Sequence, residues 1–262
     1  MFKRRIIAVL YLKDGWMVRS EEFSFHHYIG DPCAHVERMV QWDVDELVVL
    51  DIGAQESRFD HHRIDYRLQP VTTLLELVKR IGVECHIPLT FGGRVRSLHD
   101  IEDRILNGAD KVTLNTALME LPALVSEAAR TFGSQAIVAS IDYKIVDRAP
   151  RVFVGRAKID TACDAVSWAR RAEDAGAGEI LLNAIDRDGM AEGYDIETIG
   201  RIADAVAIPV IACGGAGNNE HFLDVLTQTA ASAVAAGNFF HFKENAYPRL
   251  KTYLRERLED IR

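Results

Sequence analysis

Eight short apolar segments alternate with longer amphipathic segments along the chain, and this alternation constrains the fold more than any other feature. Each apolar segment is almost continuously hydrophobic, as in parallel strands that are buried on both faces. The intervening segments have the periodicity of helices that cover such a sheet. The predicted strands are residues 5–12, 46–51, 86–90, 110–114, 136–142, 179–183, 208–213 and 232–236.

Seven helices are predicted between these strands and an eighth after the last one. Eight strand–helix units joined by short connections favour a closed (β/α)8 TIM barrel of the α/β class, and an open doubly wound sheet is the alternative. The 262 residues match the ~250 that such a barrel needs, so we expect one domain over residues 1–262. The predicted helices are residues 33–43, 71–82, 98–107, 119–131, 162–176, 195–206, 219–229 and 247–260.

The two halves of the chain contain similar segments. Residues 87–93 and 208–215 each hold a proline-led strand that runs into a glycine pair, and residues 46–50 are similar to residues 179–183. Internal similarity of this kind is typical of a fold built from repeated units. We therefore predict a two-fold repeat of half-barrels.

Charge and hydropathy exclude several classes of protein. The net charge of −8 offers no basic surface for a nucleic acid or an anionic membrane. No apolar stretch reaches the ~18 residues of a membrane span, and no signal peptide precedes the first strand. The four cysteines are far apart, and His61 and His62 lie in a polar loop without a rigid ligand nearby. We expect a cytoplasmic protein with free thiols, no metal and no cofactor.

Two glycine pairs follow predicted strands, at the end of a barrel where function belongs. They are Gly92 with Gly93, and Gly214 with Gly215. Glycine lets backbone N–H groups approach an anion, and the following helix N-terminus adds partial positive charge. The sequence therefore predicts a ligand with a phosphate at each end, although plain turn glycines are the alternative. The polar residues that could complete the two cradles are Asn115, Thr116, Gly237 and Asn238.

Carboxylates also follow predicted strands, at Asp51, Asp142, Asp186 and Asp188. A carboxylate there can act as a general acid or base if it reaches the substrate. The commoner role of a single loop aspartate is to cap the next helix. Asp142 is the best catalytic candidate because it ends a deeply apolar strand.

Four charges of alternating sign stand at the other end of the predicted barrel. They are Arg5, Glu46, Lys111 and Glu179, at the starts of the first, second, fourth and sixth strands. Two interpretations are open. One is a ring of ion pairs that closes the barrel floor, and the other is a gate across the barrel axis.

Several motifs together resemble the cyclase subunit of imidazole glycerol phosphate synthase, nearly end to end. In that family a glutaminase partner docks at the barrel floor and ammonia travels through the barrel. The ammonia then reacts with a two-phosphate ribonucleotide, which yields imidazole glycerol phosphate and an aminoimidazole carboxamide ribonucleotide. The motifs are residues 5–8 (RIIA), 13–15 (KDG), 50–52 (LDI), 108–112 (GADKV), 115–117 (NTA), 132–135 (FGSQ), 185–189 (IDRDG) and 214–217 (GGAG).

The resemblance implies roles for individual residues. It makes Arg5, Glu46, Lys111 and Glu179 the ammonia gate and Asp142 one of two catalytic aspartates. The remaining polar and glycine residues would bind the phosphorylated substrate. These are Arg19, Asp51, Gly92, Gly93, Arg94, Asn115, Thr116, Asn183, Asp188, Gly214, Gly215, Gly237 and Asn238.

The chain departs from the family pattern at the substrate end. Tyr11 stands where the second catalytic aspartate belongs, and a tyrosine with a pKa near ~10 is a poor base at neutral pH. Arg19 replaces a lysine, Arg94 replaces a third cradle glycine, and the loop after the second strand, from Gly53 towards Pro70, is unusually long.

These departures favour a diverged paralogue of the kind found in bacterial surface-polysaccharide clusters. Residues 211–217 and 232–237 resemble that branch, in which similar barrels partner a glutaminase-like subunit and help a sugar amidotransferase to form acetamidino sugars. Two alternatives stay open. One is an authentic cyclase of histidine biosynthesis, and the other is a non-catalytic scaffold that activates a glutaminase.

Overall fold

A computed structural model describes residues 3–54 and 71–262. Within those residues, twelve strands belong to one sheet and nine α-helices accompany it. The strands are β1 Arg5–Lys13, β2 Trp16–Glu21, β3 Phe25–Gly30, β4 Glu46–Asp51, β5 Leu89–Gly92, β6 Lys111–Leu114, β7 Ile137–Val146, β8 Ala149–Val154, β9 Ile159–Asp164, β10 Glu179–Ala184, β11 Val210–Cys213 and β12 Ala233–Ala236. The helices are α1 Pro32–Gln41, α2 Leu74–Glu84, α3 Leu98–Leu106, α4 Ala117–Glu120, α5 Pro122–Phe132, α6 Ala165–Asp174, α7 Ile196–Ala203, α8 Asn219–Gln228 and α9 Ala246–Arg255.

Eight of the strands form a closed parallel barrel in the order β1, β4, β5, β6, β7, β10, β11 and β12. Closure comes from the pairing of β12 with β1, in which Ala233 lies opposite Arg5. The predicted (β/α)8 barrel is therefore confirmed. The first predicted glycine pair begins at the last residue of β5, the third strand of the barrel, and the second pair follows β11, the seventh strand.

Two hydrophobic clusters explain why the barrel strands are so uniformly apolar. Alternate residues of each strand point into the barrel, where Val9, Val48 and Leu181 belong to one inner cluster. The other residues, such as Leu47 and Ile180, pack outward against the helices in a larger cluster. Because both faces are buried, each strand needs hydrophobic residues at nearly every position.

Helix boundaries follow local chemistry. The predicted helix 119–131 is split into α4 and α5 at Leu121, because Pro122 has no N–H and instead suits the first turn of a new helix. The predicted helix 162–176 begins later, at Ala165, where the Asp164 side chain caps the Ser167 N–H. The last predicted helix ends at Arg255, and the chain then turns so that Ile261 pairs with Arg4.

Two β-hairpins stand on the mouth of the barrel, meaning the end formed by the carboxyl termini of its strands. One consists of β2 and β3 and follows β1; the other consists of β8 and β9 and extends β7. A two-residue turn leads into each hairpin: Asp14–Gly15 joins β1 to β2, and Asp147–Arg148 joins β7 to β8. Both residues of each turn have a positive φ. Such turns match the twist of antiparallel strands. Neither hairpin is predicted from the sequence.

Two further features complete the fold. The Tyr247 hydroxyl of α9 donates to the Ile6 carbonyl, 3.1 Å away, and accepts from the Asp45 N–H at 2.7 Å, so the last helix is bound to the first strand. None of the helices in the described part of the chain is long and apolar enough to cross a membrane. Most of the long loop after β4, with His61 and His62, lies outside the described residues.

Candidate active site at the barrel mouth

A cleft of about 450 Å³ opens at the mouth of the barrel. Its lining comes from the ends of β4, β5, β6 and β7, from α4, and from the β2–β3 and β8–β9 turns. Among the described residues, none of β10, β11 or β12 contributes to this lining, so the cleft occupies one half of the mouth. The predicted site residues that line it are Asp51, Gly93, Arg94, Asn115, Thr116 and Asp142.

Asp142 lies at the inner end of this cleft, where β7 leaves the barrel. Its two carboxylate oxygens accept hydrogen bonds from the Asn115 amide at 3.2 Å and from the Asn183 amide at 3.3 Å. Burial raises the pKa of Asp142 to about 7, and the two amide donors only partly oppose that rise. A carboxyl group with this pKa exchanges its proton near neutral pH, which is what general acid–base catalysis requires.

Asp51 and Arg94 form an ion pair across the cleft. Arg94 Nε is 2.7 Å from Asp51 Oδ2, and the other Asp51 oxygen accepts from the Gly53 N–H at 2.8 Å. Burial raises the pKa of Asp51 above its ordinary value, while the Arg94 charge acts in the opposite direction. The Arg94 side chain is therefore held beside the first glycine pair, at the position where the resemblance implies a third cradle glycine.

Thr116 connects the cleft to the second hairpin. Its hydroxyl accepts a hydrogen bond from the Gly155 N–H at 3.1 Å, and Gly155 begins the turn between β8 and β9. The following residues, Arg156 and Lys158, line the cleft from above. This hydrogen bond anchors the start of the turn that carries both cations, over the half of the mouth that contains Asp142.

Tyr11 is fully buried beneath the β2–β3 hairpin rather than open to the cleft. Phe23, in the turn between β2 and β3, packs edge-on against its ring. Burial raises the pKa of Tyr11 well above its ordinary value, and the charges of Asp188 and Asp142 act in the same direction. The phenol stays protonated at neutral pH, so it cannot serve as a base there.

Asp188 and Asn183 do not line the cleft. Both are buried, and one side-chain oxygen of each accepts no hydrogen bond within the described residues. Burial raises the pKa of Asp188 to about 7, and the charge of Asp142 adds to the rise. Asp142 and Asp188 are therefore a pair of interacting carboxyl groups with similar pKa values.

The second predicted cradle lies apart from the cleft. Asn238 is bound to the backbone of Ser20 in β2, donating to its carbonyl at 2.6 Å and accepting from its N–H at 3.2 Å. Arg19, also on β2, pairs with Glu21 at 3.1 Å. Gly215 has a φ of +105°, and a Cβ there would lie 2.1 Å from the Gly193 carbonyl. Close packing of two loops thus accounts for this glycine without a ligand.

The four charges at the barrel floor form a closed ring. Each of them is the first residue of its strand, and each carboxylate contacts both cations. Lys111 Nζ lies 2.9 Å from Glu46 and 2.7 Å from Glu179, and Arg5 lies 2.6 Å from Glu46 and also pairs with Glu179. The two carboxylates are buried and the two cations partly exposed, so the ring covers the floor of the barrel.

Comparison with known proteins decides the family. The family model described as "Histidine biosynthesis protein" matches residues 5–246. The imidazole glycerol phosphate synthase subunit HisF of Metallosphaera sedula is 44% identical, and the match covers 100% of both chains. The corresponding HisF subunits of Hydrogenobaculum sp. and Geobacillus thermodenitrificans are 42% and 41% identical, again over 100% of both chains. This chain belongs to the HisF family.

Membership of the HisF family confirms the resemblance found in the sequence. The relatives favour the role in histidine biosynthesis, which was the alternative interpretation of the sequence, and they lend no support to the surface-polysaccharide branch. Neither the site residues nor the substitution at Tyr11 is tested by these comparisons. Those assignments stay predictions.

Three residues of this HisF-family mouth escaped the sequence analysis, namely Phe23, Arg156 and Lys158. All three belong to hairpin turns, and hairpins were not predicted there. A sequence signal did exist, since Asp14–Gly15 is a turn dipeptide between two short segments of strand-forming residues. Asp186, by contrast, was predicted near the site, but its carboxylate accepts from the Ile145 N–H at 3.0 Å, outside the cleft.

Proposed function

We propose that this chain is the ammonia-using cyclase subunit of an imidazole glycerol phosphate synthase. In this reaction, ammonia attacks a two-phosphate ribonucleotide, and the products are imidazole glycerol phosphate and an aminoimidazole carboxamide ribonucleotide. The observation that carries the proposal is Asp142, a buried carboxyl group with a pKa of about 7 at the inner end of the cleft. Full-length similarity to HisF subunits supports the same reaction.

Asp142 would move the protons that ring closure requires. At neutral pH the protonated and ionised forms are both populated, so the carboxyl group can donate a proton to a leaving oxygen or accept one from the attacking nitrogen. The Asn115 and Asn183 amides orient it through one hydrogen bond to each oxygen. Gly92, Gly93, Asn115 and Thr116 would hold the near phosphate at the ends of β5 and β6.

Ammonia would enter from a glutaminase partner docked at the barrel floor. The ring of Arg5, Glu46, Lys111 and Glu179 would form the gate, since these charges surround the barrel axis at that end. Beyond the ring the interior is apolar, with side chains such as Ile7 and Val48. An apolar interior suits neutral ammonia and disfavours ammonium, because burying an unpaired charge is costly.

A second candidate function is favoured by one observation, the burial of Tyr11. The resemblance implies a second catalytic aspartate at that position, and a buried, protonated phenol cannot replace it as a base. In this version the barrel still conducts ammonia, but the acceptor is another phosphorylated compound, such as a sugar served by a separate amidotransferase. Arg94 beside the first glycine pair supports the same view.

The test is turnover of the family's ribonucleotide by the purified barrel, with an ammonium salt in place of the glutaminase. Turnover that disappears in Asp142→Asn would support the cyclase proposal. Absence of turnover in the wild type, with activity gained in Tyr11→Asp, would overturn that proposal and support the second candidate. Tyr11→Phe is the matched control, because it removes the hydroxyl without adding a carboxylate.

A further inference from the structure

Arg104 is a buried cation directly behind the first glycine pair. It lies in the last turn of α3 and is only 6% exposed. Long side chains of a helix point back towards its N-terminus, and Arg104 accordingly reaches the loop between β5 and α3. Its Nη2 donates to the Gly93 carbonyl at 2.7 Å, and its Nη1 donates to the Asp100 carbonyl at 2.5 Å. One guanidinium group thus joins the helix to the glycine pair.

Backbone carbonyls, rather than a carboxylate, hold the Arg104 side chain. Within residues 3–54 and 71–262, Arg104 forms no ion pair, and its Nε donates to no acceptor. Burial lowers the pKa of Arg104 below its ordinary value, while the charges of Asp100 and Asp51 oppose the fall. A guanidinium group stays protonated at neutral pH. The protein therefore keeps a positive charge in its interior at this place, and burying a charge is costly.

The barrel does not need a cation at this position. Arg104 is the seventh residue after Ser97, the N-cap of α3. The seventh residue after Asn218, the N-cap of α8, is Val225, which is fully buried. Each of these helices follows a glycine pair, so the two positions are equivalent. A valine meets the packing requirement in α8, which means that packing alone does not explain the charge in α3.

The hydrogen bond from Arg104 sets the orientation of the peptide group that joins Gly93 to Arg94. Gly93 has a φ of +99°, and a Cβ there would lie 2.1 Å from the Asp51 carbonyl oxygen, so the loop packs closely against the end of β4. In a trans peptide the carbonyl and the N–H point in opposite directions. Gly93 and Arg94 line the cleft and Arg104 does not. With the carbonyl turned to Arg104, the N–H is directed to the cleft side of the loop.

The N-terminus of α3 supplies less positive charge than a free helix end would. The Asp100 carboxylate accepts hydrogen bonds from the Arg96 N–H and the Ser97 hydroxyl, both at 2.9 Å. A carboxylate in the first turn offsets the partial positive charge of the helix dipole. The full charge of Arg104, in a low-dielectric interior where electrostatic interactions are stronger, is therefore the main source of positive potential behind the glycine pair.

We propose that Arg104 is a positioning residue for the near phosphate of the acceptor. It fixes the peptide between Gly93 and Arg94 and places a buried positive charge behind the glycine pair, without touching the ligand. The proposal rests on the proposed function for the presence of a phosphorylated acceptor at this end of the cleft. It concerns the near phosphate alone and leaves the far end of the acceptor to the cradle of Gly214 and Gly215.

Titration of the full chain with inorganic phosphate, followed by ¹H–¹⁵N NMR, tests this role without any turnover. In the wild type we expect shifts at the amides of Gly92, Gly93 and Arg94. Arg104→Met removes the charge at similar length and should raise the dissociation constant at these amides about tenfold. Arg104→Lys keeps the charge and should recover most of the affinity. Wild-type affinity in Arg104→Met would overturn the proposal, as would an affinity in Arg104→Lys no better than in Arg104→Met.

The second glycine pair is the internal reference. Phosphate shifts at the amides of Gly214 and Gly215 should titrate as in the wild type in every Arg104 variant. Equal weakening at both glycine pairs would mean that the variants loosen the whole mouth, which would also overturn the proposal. Arg104→Gln is a second neutral variant in case Arg104→Met does not fold, and it too should bind phosphate more weakly at the first pair.

Arg130→Met is the matched control. Arg130 is an exposed arginine in the last turn of the neighbouring helix α5, so its loss should leave phosphate affinity unchanged at both glycine pairs. Phosphate binding is measured directly here. A failure of this proposal therefore differs from a failure of ribonucleotide turnover, which would concern the proposed function.

Discussion

The ring of Phe23 packs edge-on against the ring of Tyr11, with centroids 5.5 Å apart and planes at 76°. Phe23 lies in the β2–β3 turn and Tyr11 lies in the first barrel strand, so this contact ties the hairpin to the barrel interior. An edge-to-face aromatic pair contributes about 0.5–1.5 kcal/mol beyond the burial of its area. The β2–β3 hairpin is therefore an attached part of the mouth, and Tyr11 provides its attachment point.

Phe23→Ala should loosen the hairpin. Removing this buried aromatic ring takes away the apolar contact between the turn and Tyr11, so the free energy needed to open β2 and β3 falls. We expect the amides of residues 17–30 to exchange about tenfold faster or more in hydrogen-exchange measurements. Phe25→Ala is the control, because Phe25 lies on the same hairpin but is 65% exposed. Equal protection in both variants would show that the Phe23 contact does not hold the hairpin.

Asp142→Asn should change how stability depends on pH. The folded-state pKa of about 7 lies above the unfolded value near 3.8, so the folded state binds the extra proton between these values. The free energy of unfolding therefore falls as the pH rises from about 4 to 7. The asparagine variant should lose the part of this slope due to Asp142 and be more stable at pH 8, by an amount on the order of 1 kcal/mol or more.

Urea unfolding at pH 5 and pH 8 measures this difference. The isosteric amide can be accommodated, because the Asn183 oxygen is free to accept a hydrogen bond if that side chain rotates. Asp147→Asn, at an exposed turn of the same strand pair, is the matched control. A wild-type slope in Asp142→Asn would contradict the shifted pKa, and normal cyclase activity would remove Asp142 from its proposed catalytic role.

Lys111→Ala should destabilise the barrel floor. It leaves the buried Glu46 and Glu179 with Arg5 as their remaining cation in the ring, and breaking a buried ion pair from one side costs about 3–5 kcal/mol. Partial exposure of Lys111 reduces this figure, so we expect a loss of about 2 kcal/mol in denaturant unfolding. Lys79→Ala, an exposed lysine of α2, should be nearly neutral.

The same variant tests the proposed gate. With a glutaminase partner present, Lys111→Ala should lower the ratio of barrel product to glutamate formed, because ammonia would escape before it reaches the mouth. If the ratio of barrel product to glutamate is unchanged while stability falls, the ring has a purely structural role.

Arg94→Ala should destabilise the cleft most strongly at high pH. Without the guanidinium, the buried Asp51 carboxylate loses its ion-pair partner, which raises its pKa further. The penalty is largest when Asp51 is ionised, about 3 kcal/mol, and it disappears as the carboxyl group becomes protonated. Thermal unfolding at pH 5 and pH 8 compares the two conditions, with the neighbouring exposed Arg96→Ala as control. A penalty independent of pH would mean that Arg94 acts through packing alone.

The barrel strands could be predicted because a strand buried on both faces needs hydrophobic residues at nearly every position. Glu46–Asp51 was predicted with its observed bounds, and β1 differs only by one residue at its end. The hairpins could not be recognised in the same way, because Phe25–Gly30 is largely exposed. Its side chains are not constrained by packing into a hydrophobic core. Alternation of polar and apolar residues is weak there, so periodicity fails.

The site was predictable only as a set of positions. Asp142, Asn115 and Asp51 were found because they follow apolar strands, and every barrel brings such positions to one end. Their partners could not be predicted, because Arg94 meets Asp51 and Phe23 meets Tyr11 through loop conformations that no local pattern encodes. The placement of Asn238 against Ser20 likewise depends on the unpredicted hairpin.

The binding of the last helix to the first strand has a consequence for how the chain is made. In the pairing of β1 with β12, Arg5 lies opposite Ala233, and the Tyr247 hydroxyl of α9 donates a hydrogen bond to the Ile6 carbonyl. On the ribosome, the edge of β1 that faces β12 stays unpaired until the residues of β12 have been synthesised. An exposed strand edge favours wrong pairing, so the β1 edge is open to such pairing during the whole interval that separates its synthesis from that of β12.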